Sequence, residues 1–381
     1  MAFHHLVVSG LLALSFLQSE LHTKKPNLNS SEWAMYKREF DKSYQSEEVD
    51  SMRKLIFFAN KLRVDKYNEE HEHSKGRVNH LSDWSEAEKE DLLGLKVDTQ
   101  DQSWRRNSVE GEQFLKEILA RDVPVPDELD WRDAENRVSR VQEQGPCRSS
   151  WAFAAAGALE GQELPQRNMT TLAPLSVQEL VDCAYLGTDG CKGGAIHDGM
   201  MFARNGLETA KDYPYEAKYG PCRFLKSKAV IEDSGYVFLP EGDEEMMKQV
   251  VAKFGPIPVG IDASLETFQT YEFGVYLDGD CGRTLKDVNH AALIVGYGHV
   301  EASNLDYWLV KNSWGRRWGE QGYIRIARNE NNTCAISSYA SVPIFRNPGA
   351  PSSSASEDKV SEHPIWDSVQ AIWNLVHGIW A

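Results

Sequence analysis

The sequence is short of positive charge. It contains 41 Lys and Arg residues against 57 Asp and Glu residues, and its formal net charge is -16. Nucleic acids and anionic membrane surfaces select for basic patches, so neither is expected as a partner of the whole molecule. The sequence also lacks metal-ligand spacings, a phosphate-binding loop and a dinucleotide fingerprint. We therefore expect no metal, no cofactor and no nucleic acid.

No apolar run near the N-terminus is long enough to span a bilayer. The run over residues 6–17 is too short, and it predicts a secretory signal peptide over residues 1–19 and not a helix buried in the folded domain. The secretory pathway leads to an extracellular or lysosomal location. It also exposes three glycosylation sequons, at Asn29, Asn168 and Asn331.

Composition divides the rest of the chain into segments. Residues 20–94 are charged and helical in pattern, with one helix predicted over about residues 47–70. Residues 95–124 are polar and irregular, which is typical of a processing linker. Its exposed basic sites are expected at Arg105, Arg106 and Arg121.

The end of the chain differs from the remainder. Residues 347–363 are rich in Pro and Ser and predict a flexible linker. Residues 364–381 predict an amphipathic helix with a tryptophan-rich face. Its polar residues exclude a membrane-spanning segment. Such a helix could dock on its own domain, on a partner protein or at a membrane interface.

Residues 125–346 carry all six cysteines and form the main domain. Three helices are predicted first. One covers about residues 150–164, a second follows a capping box at Ser176, and a third covers about residues 243–253. Strands are predicted later, over residues 259–261, 291–297, 307–311 and 323–327. Helices followed by strands indicate an α+β domain whose halves meet at a cleft. The sequence alone does not choose among the 15 pairings of six cysteines.

Five motifs of the main domain match one family. They are Gln144-Gly145 with Cys147 and Trp151-Ala152-Phe153, residues 157–162, Cys191-Lys192-Gly193-Gly194, Asn289-His290-Ala291 and Asn312-Ser313-Trp314-Gly315. With them, residues 33–343 resemble the papain-like cysteine peptidases, most closely the cathepsin L branch. The resemblance implies a two-lobed fold, with a helical left lobe and a β-barrel-like right lobe. It also implies a preceding helical propeptide that blocks the cleft as an intramolecular partner.

The propeptide motifs are matched with two departures. The interspersed helix signature is matched at Arg53, Ile56, Phe57, Asn60, Val64 and Asn68, whereas Val49 replaces its leading glutamate. A second motif is matched at Asn79 and Asp83, with Leu81 replacing a phenylalanine. From spacing alone, the helix signature is also that of an ordinary amphipathic helix.

The resemblance implies which cysteines pair and what is missing. Its disulfides are Cys147 with Cys191, Cys183 with Cys222, and Cys281 with Cys334, which leaves no thiol. Ser150 stands where the family has its nucleophilic cysteine. His290 matches the general base, Asn312 the residue that orients it, Gln144 the oxyanion-hole donor, and Trp314 the shield over the last two.

Serine at position 150 has two interpretations. An activated cysteine has a pKa of about 3.5 to 7.5, whereas a serine hydroxyl is hardly ionised and needs a well-aligned base. Serine is also a preferred helix N-cap, so Ser149 or Ser150 could simply begin the helix.

The resemblance also implies the residues that line the substrate cleft. Arg148 replaces a family glycine and would obstruct the first pocket. Tyr339 would shorten the second pocket, unless it is an ordinary buried tyrosine with a satisfied hydroxyl. The remaining cleft residues are Gly193 and Gly194, which pair with peptide backbone, and Ile196 and Gly260, which form pocket walls.

Three functions remain open at this point. The first is an inactive cathepsin L-like homologue that binds peptides, peptidase inhibitors or other partners. The second is a hydrolase or condensing enzyme with a Ser150–His290 pair, as in the silicateins. The third is an ordinary cysteine endopeptidase in which residue 150 is misread.

Overall fold

A computed structural model describes residues 29–166, 173–184, 187–231 and 235–344. The predicted signal peptide, flexible linker and tryptophan-rich helix lie outside the described residues, as does the sequon at Asn168. Within the described part, no helix has the length and apolar character needed to cross a membrane.

Helices dominate the first two thirds of the described chain. They are α1 (Ser30–Glu39), α2 (Glu47–Glu70), α3 (Glu86–Lys89), α4 (Val109–Leu119), α5 (Ser150–Gln166), α6 (Val177–Cys183), α7 (Ile196–Ala203), α8 (Glu244–Lys253) and α9 (Glu266–Gln269). Short 3-10 turns occur at Glu90–Leu92, Ser103–Arg105, Gly190–Lys192, Lys226–Lys228 and Thr333–Ala335.

Side-chain caps explain where several helices begin. The hydroxyls of Ser46, Ser85 and Ser108 each accept a backbone N–H from the first turn of the helix that follows. Ser176 caps α6 as expected, with its hydroxyl accepting from the backbone of Glu179. The Glu179 carboxylate, however, accepts the N–H of Glu208 at 2.8 Å. The predicted capping box is therefore wrong in its second half, because the Glu179 side chain bonds a loop 29 residues later and the N–H of Ser176 bonds the Glu208 carbonyl instead.

Nine strands among the described residues form one sheet. They are β1 (Ser74–Gly76), β2 (Leu129–Asp130), β3 (Gly235–Phe238), β4 (Ile257–Ile261), β5 (Tyr271–Tyr276), β6 (His290–Val300), β7 (Leu305–Lys311), β8 (Tyr323–Ala327) and β9 (Tyr339–Ile344). The order is β1-β5-β8-β7-β6-β4-β9-β3, with β2 paired to β6. Only the β5–β8 pair is parallel among these described strands.

The main domain has the predicted α+β order. Helix α5 packs against β6, β4 and α7. The four strand predictions are confirmed in place. The strand over residues 323–327 matches β8 at both ends, whereas the other three predictions are too short, and β6 continues to Val300. All three implied disulfides are present, Cys147–Cys191, Cys183–Cys222 and Cys281–Cys334, and no cysteine is free.

The N-terminal helices form a small unit that is joined to the main sheet. Trp33, Tyr36, Phe57 and Phe58 share an aromatic cluster between α1 and α2. Arg53 of α2 donates to both carboxylate oxygens of Glu88, each at 2.6 Å. Strand β1 pairs with β5 at the edge of the sheet. The helix-signature residues therefore hold the segment together as well as lying at helical spacing.

The segment over residues 95–124 differs from the expected irregular linker. It contains the 3-10 turn Ser103–Arg105 and the 11-residue helix α4. The expectation that Arg105 is an exposed basic site is wrong, because its side chain is 15% exposed and pairs with Glu241 at 2.7 Å. The missed signal was the spacing of Phe114, Leu115, Ile118 and Leu119, which gives α4 an apolar face.

Candidate active site

The segment before α5 places two hydroxyl groups at the start of that helix. Ser149 and Ser150 are both fully buried. The Ser149 hydroxyl bonds Tyr215 Oη at 2.7 Å and donates to the Cys147 carbonyl at 3.3 Å. Ser150 Oγ accepts the N–H of Ala291 at 3.3 Å. Both hydroxyls thus bond partners outside the helix, so the side-chain capping interpretation gains no support from these contacts.

His290 begins β6 and lies beside the end of β7. Its Nε2 is 2.8 Å from Asn312 Oδ1, and its Nδ1 is 3.0 Å from the carbonyl oxygen of Leu92. Asn312 Oδ1 also accepts the N–H of Ser313, which fixes the amide orientation. The Trp314 ring lies 4.8 Å from the imidazole and is almost fully buried. The predicted orienting and shielding residues are therefore both next to His290.

Burial decides the charge of this imidazole. Both ring nitrogens face carbonyl oxygens, which only accept, so the two bonds form together only when the ring is protonated. Complete burial nevertheless lowers the pKa of His290 to about 4, although the contacts with Asn312 and Leu92 favour the charged form. The ring is therefore neutral at pH 7, and one of the two contacts lacks its proton.

Gln144 faces the same carbonyl group as His290. Its Oε1 accepts from the Ser313 hydroxyl at 2.7 Å, which directs Nε2 toward the Cys147 carbonyl at 2.9 Å and the Leu92 carbonyl at 3.2 Å. A buried amide donor of this kind can stabilise negative charge that develops on an oxygen. The Leu92 carbonyl therefore occupies the point where the predicted oxyanion donor and the predicted base converge.

The propeptide backbone passes this point so closely that a side chain at Gly94 would collide with the site. A Cβ added to Gly94 would lie 2.4 Å from the Arg148 carbonyl oxygen and 3.0 Å from Ser150 Oγ. Gly194 donates its N–H to Gly94 O at 3.0 Å, and Lys96 N donates to Gly194 O at 2.9 Å. Gly193 has φ +111°, which few other residues adopt. Gly194 thus pairs with extended backbone through both its N–H and its carbonyl, whereas the backbone groups of Gly193 bond Gly190 and Asp189 and do not pair with the propeptide.

Leu95 fills a pocket on the far side of Gly94. The chain N–H of Leu95 bonds Asn289 O at 3.0 Å, and its side chain is 6% exposed. A Cβ added to Gly260 would lie 2.7 Å from Leu95 Cδ2 and 3.1 Å from Tyr339 Cβ. Gly260, a predicted wall, and Tyr339, the residue predicted to shorten the pocket, therefore meet around Leu95. The other predicted wall residue, Ile196, is fully buried at the start of α7.

Two aromatic groups behind this pocket were missed by the sequence analysis. The Tyr339 hydroxyl is 2.6 Å from His197 Nδ1, and Trp104 stacks on His197 with ring centroids 5.2 Å apart. Burial lowers the pKa of His197 to about 4, so this imidazole is also neutral. Tyr339 is thus both a satisfied buried tyrosine and a neighbour of Gly260.

Arg148 points toward the propeptide. Its Nε lies 3.0 Å from Asp91 Oδ1, and its Nη2 lies 3.9 Å from Glu90 Oε2. Its side chain is 35% exposed. The cation that was expected to obstruct a substrate therefore pairs with the segment that already fills the cleft.

The described residues show no group of three or more His, Cys, Asp or Glu side chains arranged to hold a metal ion. The chemistry that this arrangement can supply is an amide donor, an imidazole oriented by Asn312, and the hydroxyl of Ser150. In the closed form, in which the propeptide fills the cleft, the Leu92 carbonyl contacts both the Gln144 amide and the His290 imidazole.

Comparisons with known proteins agree with this geometry. Residues 125–344 match the papain family of cysteine proteases, and residues 33–88 match the cathepsin propeptide inhibitor domain. Cathepsin L of Sarcophaga peregrina is 40% identical over 347 residues, covering 88% of this chain and 98% of that protein. Cathepsin S of Bos taurus is 38% identical over 349 residues, covering 88% and 98%.

Solved structures show the same similarity. The digestive procathepsin L2 proteinase from the larval midgut of Tenebrio molitor superposes with a TM-score of 0.75 at 34% identity. The match covers 83% of this chain and 99% of that one. The procathepsin L 3 of the same midgut gives a TM-score of 0.71 at 36% identity, covering 83% and 98%.

Acidification is expected to open the cleft through His290. Its pKa is about 4 when closed and returns to about 6.5 when hydrated, so the open form takes up a proton between these values. The stability that the neutral ring gives the closed form is complete above pH 6.5 and is lost as pH falls toward 4. From pH 7 to pH 5, the opening constant should rise roughly twentyfold.

Hydrogen exchange of residues 88–97 in the full chain measures this opening. His80, whose pKa burial also lowers to about 4, acts in the same direction. The variant His290→Gln should therefore weaken the pH dependence without abolishing it. The matched control is His299→Gln, outside the cleft, which should leave it unchanged. Equal pH dependence in the His290→Gln variant and the unaltered protein would contradict this account.

The Arg148–Asp91 ion pair is expected to hold the same segment. Both side chains are more than a third exposed, so the pair contributes at most about 1 kcal/mol. Asp91→Asn should speed exchange of residues 88–97 about two- to fivefold, and less at high salt. Asp65→Asn, which removes an exposed carboxylate paired with Lys61 on α2, is the matched control. No change in the Asp91 variant at low salt would contradict the assignment.

Proposed function

The chain belongs to the papain family of cysteine proteases, with a cathepsin L-like sequence and a propeptide inhibitor domain, and from this premise we propose that it binds peptides without hydrolysing them. In this proposal, Ser150 occupies the nucleophile position. Gln144, His290 and Asn312 keep the positions of the oxyanion donor, the base and its orienting residue. The ligands are peptide segments or peptidase inhibitors.

One observation carries the proposal. Ser150 lies at the start of α5 with its hydroxyl bonded to Ala291, and all six cysteines are in disulfides. No thiol is therefore available from elsewhere in the chain. In a serine protease, loss of the nucleophile costs on the order of 10⁶ in turnover.

The hydroxyl does not have a base aligned with it in the closed form. The contacts of the two His290 nitrogens are with Leu92 and Asn312, and Ser150 Oγ accepts from a backbone amide. A serine nucleophile needs a base that accepts its proton during attack. These contacts favour binding over the alternative of a Ser150–His290 pair for hydrolysis or condensation.

The features that bind a peptide are retained. The propeptide already occupies the cleft through the backbone pairing of Gly194, the amide of Gln144 and the pocket around Leu95. Another extended peptide can use the same groups once this segment leaves. A partner protein or a membrane interface for the predicted tryptophan-rich helix remains part of the proposal, and its residues 364–381 lie outside the described ones.

The proposal also concerns location and maturation. A signal peptide, three disulfides and glycosylation sequons favour the secretory pathway, with an extracellular or lysosomal destination. Without a catalytic thiol the chain cannot remove its own propeptide as a cysteine peptidase. Removal then requires another peptidase acting between residues 95 and 124.

The direct test compares the unaltered protein with Ser150→Cys after the propeptide has been cut and displaced at acid pH. We expect no turnover of cathepsin peptide substrates by the Ser150 protein and turnover by the cysteine variant, because the rest of the site is in place. Ser149→Cys is the matched control, since it adds a thiol one residue away and should stay inactive.

Other outcomes are distinct. Turnover by the Ser150 protein that disappears in Ser150→Ala would establish a serine-dependent hydrolase. A cysteine codon at position 150 on resequencing would establish an ordinary cysteine endopeptidase. If Ser150→Cys is inactive but Arg148→Gly with Ser150→Cys is active, Arg148 obstructs substrate. Inactivity of both would contradict the claim that the remaining site is intact.

A further inference from the structure

Residues 103–119, here called the strap, are bound to the main domain by contacts that are separate from those that block the cleft. Near the start of the strap, Trp104 stacks on His197 and meets Phe238 edge to face at 5.1 Å. Its ring also approaches Tyr339, with centroids 5.4 Å apart. These three aromatic partners all belong to the main domain, so Trp104 anchors the strap there.

Polar contacts fix the residues that follow Trp104. Arg105 donates to Glu241 at 2.7 Å and to the Ser338 carbonyl at 2.5 Å. The side chain of Asn107 bonds both backbone groups of Phe238, donating to its carbonyl at 3.0 Å and accepting its N–H at 2.8 Å. This amide therefore pairs with the exposed edge of β3 as a further strand would.

Helix α4 completes the strap by burying an apolar face on the domain. Ile118 is fully buried, and Phe114 meets Phe254 edge to face at 5.4 Å. Gly111 passes close to β3 and β9, since an added Cβ would lie 3.3 Å from Val237. Lys253 donates to the carbonyl of Leu119 at 2.6 Å. A helix that is held by buried apolar side chains of this kind does not leave its site readily.

Residues 98–102 contrast with the strap. Asp98, Gln100, Asp101 and Gln102 are exposed. Their side-chain bonds stay local: Asp98 Oδ1 accepts the N–H groups of Gln100 and Asp101 at 2.9 and 3.0 Å. Exposed backbone with local contacts is the substrate that peptidases prefer. This stretch lies between the cleft-blocking residues 92–97 and the strap.

We propose that the cut that releases the propeptide falls within residues 98–102, or just before Ser103, and that the strap then remains on the domain as its N-terminal extension. The peptidase hydrolyses one peptide bond, consuming one water and leaving a carboxylate on the propeptide and an amine on the strap. This inference holds whether the cleft binds or hydrolyses peptides.

The side chains of residues 98–102, here called the window, determine which class of peptidase can cut there. Residues 98–102 read Asp-Thr-Gln-Asp-Gln and contain no Lys or Arg. The pair Arg105-Arg106 resembles a basic processing site, but Arg105 is held by Glu241 and its neighbours Trp104 and Asn107 are anchored. The processing enzyme is therefore one that accepts acidic or amide side chains, and not one specific for basic residues.

The retained strap also shapes the cleft. Tyr339 contacts Gly260 in the pocket that Leu95 fills, and its hydroxyl bonds His197, on which Trp104 stacks. When the propeptide leaves, Leu95 leaves with it, whereas Trp104 stays. The mature pocket therefore keeps an aromatic support that is supplied by the strap.

Limited digestion of the full chain tests the inference with internal controls. A peptidase that cuts after Asp and Glu meets Asp98 and Asp101 in the window, and Glu110, Glu112 and Glu117 on the exposed side of α4. We expect the first cuts after Asp98 or Asp101. After displacement of the propeptide at acid pH, mass spectrometry should find the domain starting at Thr99 or Gln102. First cuts within the strap, or at Asp122 and beyond, would overturn the proposal.

A second test uses a variant that loosens the strap without changing its charge. Asn107→Ala removes two bonds to Phe238 without changing charge, and should increase the rate of tryptic cleavage after Arg106 about fivefold or more. The matched control is Asn205→Ala, at an exposed position after α7, which should leave that rate unchanged. Rapid cleavage after Arg106 in the unaltered protein, or equal rates in both variants, would show that the strap is not anchored.

Discussion

The closed structure depends on one carbonyl group held from two sides. Leu92 O lies within hydrogen-bonding distance of both Gln144 Nε2 and His290 Nδ1, at 3.2 and 3.0 Å. Gln144 comes from the segment before α5 and His290 from β6, so the contact joins the two halves of the domain through the propeptide. Gly94 and Leu95 can then pack against Ser150 and Gly260.

The centre is uncharged because His290 is fully buried, although the Leu92 carbonyl itself favours the charged ring. Burial lowers the pKa of His290 to about 4, so the neutral ring stabilises the closed form, whereas papain-like catalysis needs a charged ring beside a thiolate. A serine at position 150 adds no negative charge to stabilise that ring. Under the proposal that Ser150 stands at the nucleophile position, a neutral centre is compatible with tight closure, and the ion pair on which cysteine-dependent hydrolysis relies does not form.

The sequence predicted what depends on local pattern or family motifs. The α+β order followed from the helices and strands, and the three disulfides followed from the resemblance. Contacts between distant segments were not predictable in the same way. Arg148 was expected to obstruct the cleft, but its partner Asp91 lies 57 residues earlier. Arg105 was expected to be exposed, but Glu241, which pairs with it, lies 136 residues later. The apolar spacing of α4 was present in the sequence and was overlooked in a charged region.

The central claim is that Ser150 does not act as a nucleophile even when the cleft is open. Incubation of the acid-opened, propeptide-free protein with a fluorophosphonate probe tests this directly, because an activated serine oxygen would attack phosphorus and expel fluoride. The account predicts no labelling of Ser150 by mass spectrometry. Labelling of Ser150 that is abolished by His290→Ala would contradict it.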